Sequence, residues 1–195
     1  MSGVASETNG RRPVRVWSIV AGFVIIFALA AAAGVLFREP LFGAGSWVVA
    51  QYGVVGLAVA VLVVDTFPTP MSYVPFMALG LAGGLSLMDV LVVSSIASYA
   101  GGCTGYAIGR TIGMPSRLEA WIHRRYPRVQ EMLDRYGGWG VAAIALLPVP
   151  LAVGTWSAGS LKVNARQAAV ALLLRVPKTM VYVAVLDRGL SLGAP

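Results

Sequence analysis

The sequence predicts an all-α integral membrane protein in which transmembrane helices are combined with two re-entrant helical hairpins, arranged as an inverted repeat. Three observations support this prediction: an apolar composition, long uncharged segments, and a Pro-x-Pro break that occurs twice. Of the 195 residues, 57% are hydrophobic and 12% are charged, and the mean hydropathy is +0.77. Soluble domains average about 45–50% apolar and about 25% charged residues, so the chain is expected to lie mainly in a bilayer.

The first segments of the chain predict its orientation. Residues 1–15 form a polar, basic tail, and residues 16–37 contain no charge until the helix ends, which predicts a first transmembrane helix. This run is longer than the apolar region of a secretory signal, about 7–15 residues. Basic residues mark the cytoplasmic side, so the N-terminus is predicted to be cytoplasmic. The net charge of +7 has the same explanation, and nucleic-acid binding is not expected.

A repeated unit predicts the two hairpins. Tyr52–Gly56 and Tyr136–Gly140 both have the pattern Tyr-Gly-x-x-Gly, and each precedes an apolar run that stops at Pro-x-Pro. The two stops are formed by Pro68 with Pro70 and by Pro148 with Pro150. Proline lacks an N–H group and clashes with the preceding turn, so a helix ends there.

The apolar pieces around the stops are short, which favours re-entrant hairpins over full crossings. We expect the hairpins to cover about residues 47–83 and 137–160 and to enter from opposite faces of the membrane. Broken backbone is tolerated at membrane depth only where protein buries it or where it lines a wet cavity, and matching breaks in two repeats point to a transporter's binding site. The alternative is a pair of ordinary kinked crossing helices.

Three charged residues are candidates for that binding site. Asp65 precedes the first stop and is predicted to lie in a polar pocket near Pro68. Arg175 and Lys178 lie in the last apolar segment, 167–186, and their three-residue spacing lets them face one side of a helix. They are predicted to turn toward the hairpins, with Asp65 or a lipid phosphate as counter-charge, and Pro177 between them is predicted to weaken the helix. The alternative for both cations is snorkelling to the interface.

Small residues and basic residues mark two further features. Gly101, Gly105 and Gly109 recur every four residues, which predicts close helix packing. The alternative is the lining of a narrow substrate path. The segment 110–136, a basic amphipathic loop between membrane segments, contains six arginines and is predicted to form two short amphipathic helices at the cytoplasmic surface. The alternative is a solvated basic loop.

No catalytic residue, metal site or cofactor is expected, and the protein is not predicted to be an enzyme. The chain has one cysteine and one histidine, Cys103 and His123. The apolar segments contain no paired carboxylates and no nucleophile–base pair, which are the groups that a catalytic site requires.

Three elements together resemble the DedA, or VTT-domain (SNARE-associated-like), membrane proteins, with the YqaA-like branch as the nearest pattern. They are Asp65 shortly before Pro-x-Pro, the segment GGCTGYAIGR at 101–110, and the segment LLPVPLAVGTWSAG at 146–159. The resemblance extends over about residues 52–189, which is most of the predicted membrane domain, 46–189. It implies two re-entrant loops that face one another, and work on lipids such as phospholipids or polyprenyl phosphates.

The chain departs from that family pattern at several charged positions. The family's acid in the second element is Gly102 here, and Met71, Ser72 and Tyr73 stand where an acid follows the first Pro-x-Pro. Ala145 and Leu151 occupy positions where many members carry arginine. Arg175 and Lys178 are predicted to supply the positive charge from another helix.

The predicted function is that of a membrane lipid transporter, either a flippase or a scramblase-like protein, in the bacterial plasma (inner) membrane. Membrane lipids are the expected partners, and a homo-oligomer is left open. The alternatives are a non-transporting membrane scaffold or assembly protein, and a transporter of small solutes or ions.

Overall fold

The computed structural model describes residues 38–69, 71–147 and 149–191, and within these ranges the regular structure is entirely α-helical. The predicted tail 1–15 and first transmembrane helix 16–37 lie outside the described residues. The helices are α1 (Arg38–Thr66), α2 (Val74–Ala82), α3 (Leu87–Thr111), α4 (Ser116–Arg125), α5 (Pro127–Tyr136), α6 (Gly138–Leu146), α7 (Leu151–Ser160), α8 (Ala165–Leu172) and α9 (Arg175–Ser191).

Three segments of the described chain are long and apolar enough to cross a membrane. They are Ser46–Thr66 in α1, Leu87–Thr111, which is α3, and Ala165–Ser191, which combines α8 and α9. A crossing needs about 20 residues, because each residue adds about 1.5 Å to a helix and the hydrocarbon core is about 30 Å thick. Length and composition therefore support an integral membrane protein.

Helices end at both Pro-x-Pro stops. α1 ends at Thr66, and α2 does not begin until Val74; α6 ends at Leu146, and α7 begins directly after Pro150. α2 and α6 have nine residues each and α7 has ten, so each is about 14–15 Å long. None of these three helices reaches across a bilayer by itself.

α1 is interrupted at Gly53, which has φ 51° and ψ −147° inside an otherwise helical segment. This is backbone that glycine adopts readily and that a side chain would strain. The uninterrupted part that follows, residues 54–66, is about 20 Å long at 1.5 Å per residue. α1, the first helix of the predicted first hairpin, is thus long enough to cross a membrane only if the segment before Gly53 is included.

α3 is the central helix, packed against α1, α7 and α9. It begins at Leu87 because Ser86 caps it: the Ser86 hydroxyl oxygen accepts a hydrogen bond from the Asp89 backbone N–H. The cap satisfies a free donor at the helix start, which fixes where the helix begins.

The basic segment 110–136 is mostly helical, as the prediction of two short amphipathic helices expected. It contains the end of α3 followed by α4 and α5, and its apolar residues Ile122, Val129 and Leu133 are buried. They belong to an apolar core shared with α6, α7 and α8. The apolar faces of α4 and α5 therefore pack on the protein itself, and their basic residues are exposed.

The last apolar segment breaks just before Pro177. The helix is interrupted at Leu173 and Leu174, so α9 begins at Arg175, and Pro177 lies in its first turn. A proline lacks an N–H group, and its ring clashes with the carbonyl of the residue four positions earlier, which is Leu173 here. The interruption therefore agrees with the prediction that Pro177 weakens the local helix.

Candidate functional site

A buried ion pair joins the end of the first hairpin arm to α9. Arg175 Nη2 donates to Asp65 Oδ2 at 2.6 Å, and the two side chains are 3% and 4% exposed. It is the only ion pair among the described residues. Burying two charges is costly unless further hydrogen bonds satisfy them, so the surroundings of the pair matter.

Ser98 on α3 supplies those additional hydrogen bonds. Its hydroxyl donates to Asp65 Oδ2 at 2.5 Å and accepts from Arg175 Nε at 3.0 Å. The three side chains form a closed triangle contributed by α1, α3 and α9. Each polar group thus bonds to the other two, which is the arrangement that makes a buried pair tolerable.

The glycines of α3 let the first arm approach closely enough to form this triangle. A Cβ atom at Gly101 would lie 2.9 Å from the Leu62 carbonyl oxygen and 3.2 Å from Asp65 Cβ. At Gly105 it would lie 2.8 Å from Thr155 Oγ1, and at Gly109 it would overlap the backbone of Trp156. The stripe therefore contacts α1 at one end and α7 at the other.

Tyr73 covers the guanidinium from the return side of the first hairpin. The Arg175 Cζ atom lies 4.6 Å from the centre of the Tyr73 ring, which is cation–π distance. The Tyr73 hydroxyl is 3.2 Å from Thr179 Oγ1. Thr179 itself donates to the Arg175 carbonyl at 3.0 Å, so Tyr73 is left as the donor between the two hydroxyl groups.

Lys178 contacts the second hairpin at the point where α6 ends. Its Nζ atom donates to the Leu147 carbonyl at 2.6 Å and to the Ala145 carbonyl at 3.2 Å. The last carbonyls of a helix have no partner within the helix, and they carry the negative end of its dipole. A cation therefore satisfies the backbone at the second stop.

The backbone at the first stop is satisfied by the second hairpin. Trp156 on α7 donates from Nε1 to the carbonyl of Thr66, the last residue of α1, at 2.7 Å. The two hairpins are thus in direct contact. Both stops have carbonyl groups that accept from a side chain of another element, which is how broken backbone is tolerated away from water.

The buried charges in this region do not cancel. Asp65 contributes one negative charge, and Arg175 and Lys178 contribute two positive charges, all at sites that are less than 9% exposed. No carboxylate of the described residues forms an ion pair with Lys178. Counted with all three groups ionised, the site has a formal net charge of +1 in surroundings of low polarity.

The sequence-predicted site residues fall at three places in the structure. Asp65 and Arg175 come together as a pair, and Lys178 lies beside the second stop rather than beside Asp65. Pro68 follows the end of α1, and Pro150 is the N-cap of α7. Pro70 and Pro148 lie outside the described residues.

Sequence reasoning missed three contributors to the site: Ser98, Tyr73 and Trp156. Ser98 is a polar residue in a crossing-length helix, four residues after Ser94, and that spacing was a usable signal. Tyr73 was noted only as a departure from a family pattern. Trp156 has no sequence signal, because a tryptophan in an apolar segment is ordinary.

The described ranges contain no candidate metal site of clustered ligands. Within them, no group of three or more His, Cys, Asp or Glu side chains could hold a metal ion. The site consists of one acid, two cations, hydroxyl groups and aromatic rings.

Comparison with known protein families identifies the family of the chain. A family model described as the VTT domain matches residues 67–188, more than half of the chain. The chain belongs to the VTT-domain family, the DedA family of membrane proteins. The match does not resolve a branch within the family, and no curated protein and no solved structure matches the sequence.

Membership in the VTT family identifies the chain as a membrane protein of a transporter-like kind. The matched range begins one residue after the end of α1 and contains both prolines that could be placed, Arg175 and Lys178. Asp65 lies two residues before it. The pair of Asp65 with Arg175 thus connects the VTT domain to the helix that leads into it.

Proposed function

We propose that the protein moves a lipid with an anionic headgroup, such as a phospholipid or a polyprenyl phosphate, across the bilayer. Passage takes place between two re-entrant hairpins, α1 with α2 and α6 with α7. The observation that carries this proposal is the buried group of Asp65, Ser98 and Arg175, placed where the first hairpin meets α3 and α9.

The charge of the site favours an anionic ligand. A cation at the centre of a membrane segment costs about 2.5–3.5 kcal/mol on insertion scales, and such residues mark ligand and ion pathways. Asp65 neutralises one of the two cations, and helix-end carbonyls only partly compensate the other. An entering phosphate would balance the remaining charge.

The lengths of the helices favour re-entrant hairpins. α2, α6 and α7 are each about half of the distance across the hydrocarbon core. The hairpins contact one another through Trp156 and Thr66, near the ends of the arms. A polar headgroup would find hydroxyl groups and charges at this contact while its acyl chains remain in the surrounding lipid.

A scaffold role gains less support. That alternative relied on Gly101, Gly105 and Gly109 as a surface for another protein. The three glycines contact α1 and α7 of the same chain, so this stripe is occupied internally.

Reconstitution into vesicles tests the proposal. Purified full-length protein is inserted into vesicles that carry a dye-labelled phospholipid, and the fraction of dye that becomes accessible to a membrane-impermeant quencher is followed in time. We expect faster exchange than in protein-free vesicles, and loss of that gain in Asp65→Asn.

Asp89→Asn is the matched control, because Asp89 is an exposed acid at the start of α3 whose removal leaves the buried pair intact. It should retain the wild-type rate. Exchange equal to that of empty vesicles for the folded wild-type protein, with phospholipid and polyprenyl phosphate probes alike, would refute lipid movement.

A further inference from the structure

We propose that Tyr73 is a positioning residue: its ring holds the Arg175 guanidinium in one orientation and leaves a single nitrogen, Nη1, for the transported headgroup. This inference rests on the proposed function, since it concerns how the same site meets its ligand. Tyr73 lies in the turn of the first hairpin, three residues after the Pro-x-Pro stop, and is 2% exposed.

Tyr73 contacts α9 along two turns. Its ring faces the Arg175 guanidinium at 4.6 Å, its hydroxyl lies 3.2 Å from Thr179, and its ring meets that of Tyr182 edge-on at 6.0 Å. Positions 175, 179 and 182 follow the i, i+4, i+7 spacing of one helix face. One side chain of the hairpin turn thus contacts three residues on the same face of α9.

The nitrogens of the guanidinium are divided between these neighbours. Nε donates to Ser98 and Nη2 donates to Asp65. The described residues provide no hydrogen-bond acceptor for Nη1, although arginine has five N–H donors in a rigid plane. Tyr73 lies against the guanidinium, and Nη1 is the one nitrogen that has no acceptor among the described residues and so remains for a ligand oxygen.

A tyrosine suits this task because its ring is neutral. It attracts a cation through the ring quadrupole and leaves the charge of the cation intact. A carboxylate at the same position would cancel the net positive charge of the site. The structure therefore combines a rigid guanidinium with an unbalanced positive charge.

A purely structural role for Tyr73 makes a different prediction from a positioning role. If Tyr73 only anchors the hairpin turn to α9, its contribution comes from the hydroxyl bond to Thr179 and from the size of the ring. Loss of either one alone should then leave the accessibility of Arg175 unchanged. If Tyr73 positions Arg175, the aromatic ring alone decides how well the guanidinium is shielded.

The accessibility of Arg175 to an arginine-selective dicarbonyl reagent separates these roles. Full-length protein in detergent is treated for increasing times, and modification of each arginine-containing peptide is quantified by mass spectrometry. Tyr73→Phe should protect Arg175 as the wild type does. Tyr73→Leu should raise its modification rate about thirtyfold, the factor that corresponds to about 2 kcal/mol for a desolvated cation–π contact.

Arg110 is the internal reference, because it also lies near a tyrosine ring, 5.9 Å from that of Tyr106, but far along α3 from the pair. Its rate should be the same in all variants. Equal protection of Arg175 in Tyr73→Leu and the wild type would overturn the proposal, as would exposure in Tyr73→Phe equal to that in Tyr73→Leu.

If Tyr73→Leu cannot be recovered folded, two hydroxyl variants provide the test. Tyr73→Phe and Thr179→Val both remove the hydroxyl–hydroxyl contact and keep the ring, so Arg175 should stay protected in both. A rise in either variant would contradict ring positioning. The reagent assay does not require transport, so a protein with the expected protection pattern but no lipid movement would refute the proposed function and still support the role of the ring.

Discussion

Asp65 is the residue on which the site depends most. The ion pair that it forms adds little stability, but the loss of either partner is costly. A buried ion pair adds little net stability compared with apolar residues, because desolvation offsets most of the attraction. Removal of one partner, however, leaves the other charge buried without compensation. Asp65 and Arg175 are both nearly inaccessible, so this asymmetry applies in full.

Single and double substitutions of the pair should therefore differ in stability. Asp65→Asn and Arg175→Gln should each lower the free energy of unfolding by about 3–5 kcal/mol, and the double variant should lose less than the two single losses combined. Thermal unfolding in detergent measures this, with the exposed Asp89→Asn as control. Additive losses would mean that the pair does not interact as the structure indicates.

Lys178 provides the second residue-scale prediction. Lys178→Met keeps an unbranched chain but removes the donors to the Ala145 and Leu147 carbonyls, so stability should fall by about 1–3 kcal/mol, as it does when a buried acceptor loses its partner. Arg188→Gln, an exposed cation at the other end of α9, should change stability little. Equal melting temperatures for both variants would show that Lys178 does not cap α6.

The sequence predicts those residues of the site whose charged side chains cost free energy in a membrane. An acid beside a helix stop and two cations in an apolar segment both require an explanation in a membrane, so Asp65, Arg175 and Lys178 stood out in the sequence. Ser98 and Tyr73 carry no such cost, and only the packing of α3 and α9 shows that they touch the pair. The partner of Lys178 was also unpredictable, because it is backbone.

Among the helices, both Pro-x-Pro stops could be predicted because proline acts locally, whatever surrounds it. The same local effect explains the interruption at Leu173 and Leu174, because a proline ring clashes with the carbonyl four residues earlier and Pro177 stands four residues after Leu173. The sequence alone indicates a weakened helix there, but it does not specify whether the helix only kinks or begins anew at Arg175.

The glycine stripe of α3 gives a prediction with a built-in control. Gly109→Ala places a methyl group into the backbone of Trp156, so stability should fall by about 1–3 kcal/mol through overpacking. Gly189→Ala in α9 meets no atom within 4 Å and should stabilise its helix by about 0.5–1 kcal/mol. Thermal unfolding of the two variants should therefore shift in opposite directions, and a gain in both would point to helix propensity rather than packing.

For the molecule as a whole, exposed positive charge is concentrated at one end. Arg110 near the end of α3 bonds to the Val163 carbonyl at 3.3 Å, which brings the basic segment and the loop before α8 to one end. The exposed cations at that end are Arg110, Arg117, Arg124, Arg125, Arg128, Arg135, Lys162 and Arg166. Such an excess is typical of the cytoplasmic side of a membrane protein.

Cysteine labelling of intact cells tests the proposed topology. In a Cys103→Ser background, Ser46→Cys and Ser86→Cys should react with an impermeant reagent from outside. Ile112→Cys and Lys162→Cys should react only after the membrane is opened. All four positions are exposed, so failure to react reports the side of the membrane and not burial. Reaction of positions 46 and 86 from opposite sides would mean that the first hairpin crosses.

The short helices also act on the lipid around them. A bilayer adjusts its thickness to the apolar height of the protein it surrounds, at a cost of fractions of a kcal/mol per Å of mismatch. Beside the exposed residues of α2 and α6 that height is about half of the normal core, so neighbouring acyl chains are expected to tilt or shorten. We expect the two leaflets to approach one another there, which would shorten the apolar distance that a headgroup has to cover. We expect lipid exchange to slow as the acyl chains of the vesicle lipid are lengthened, at constant headgroup composition.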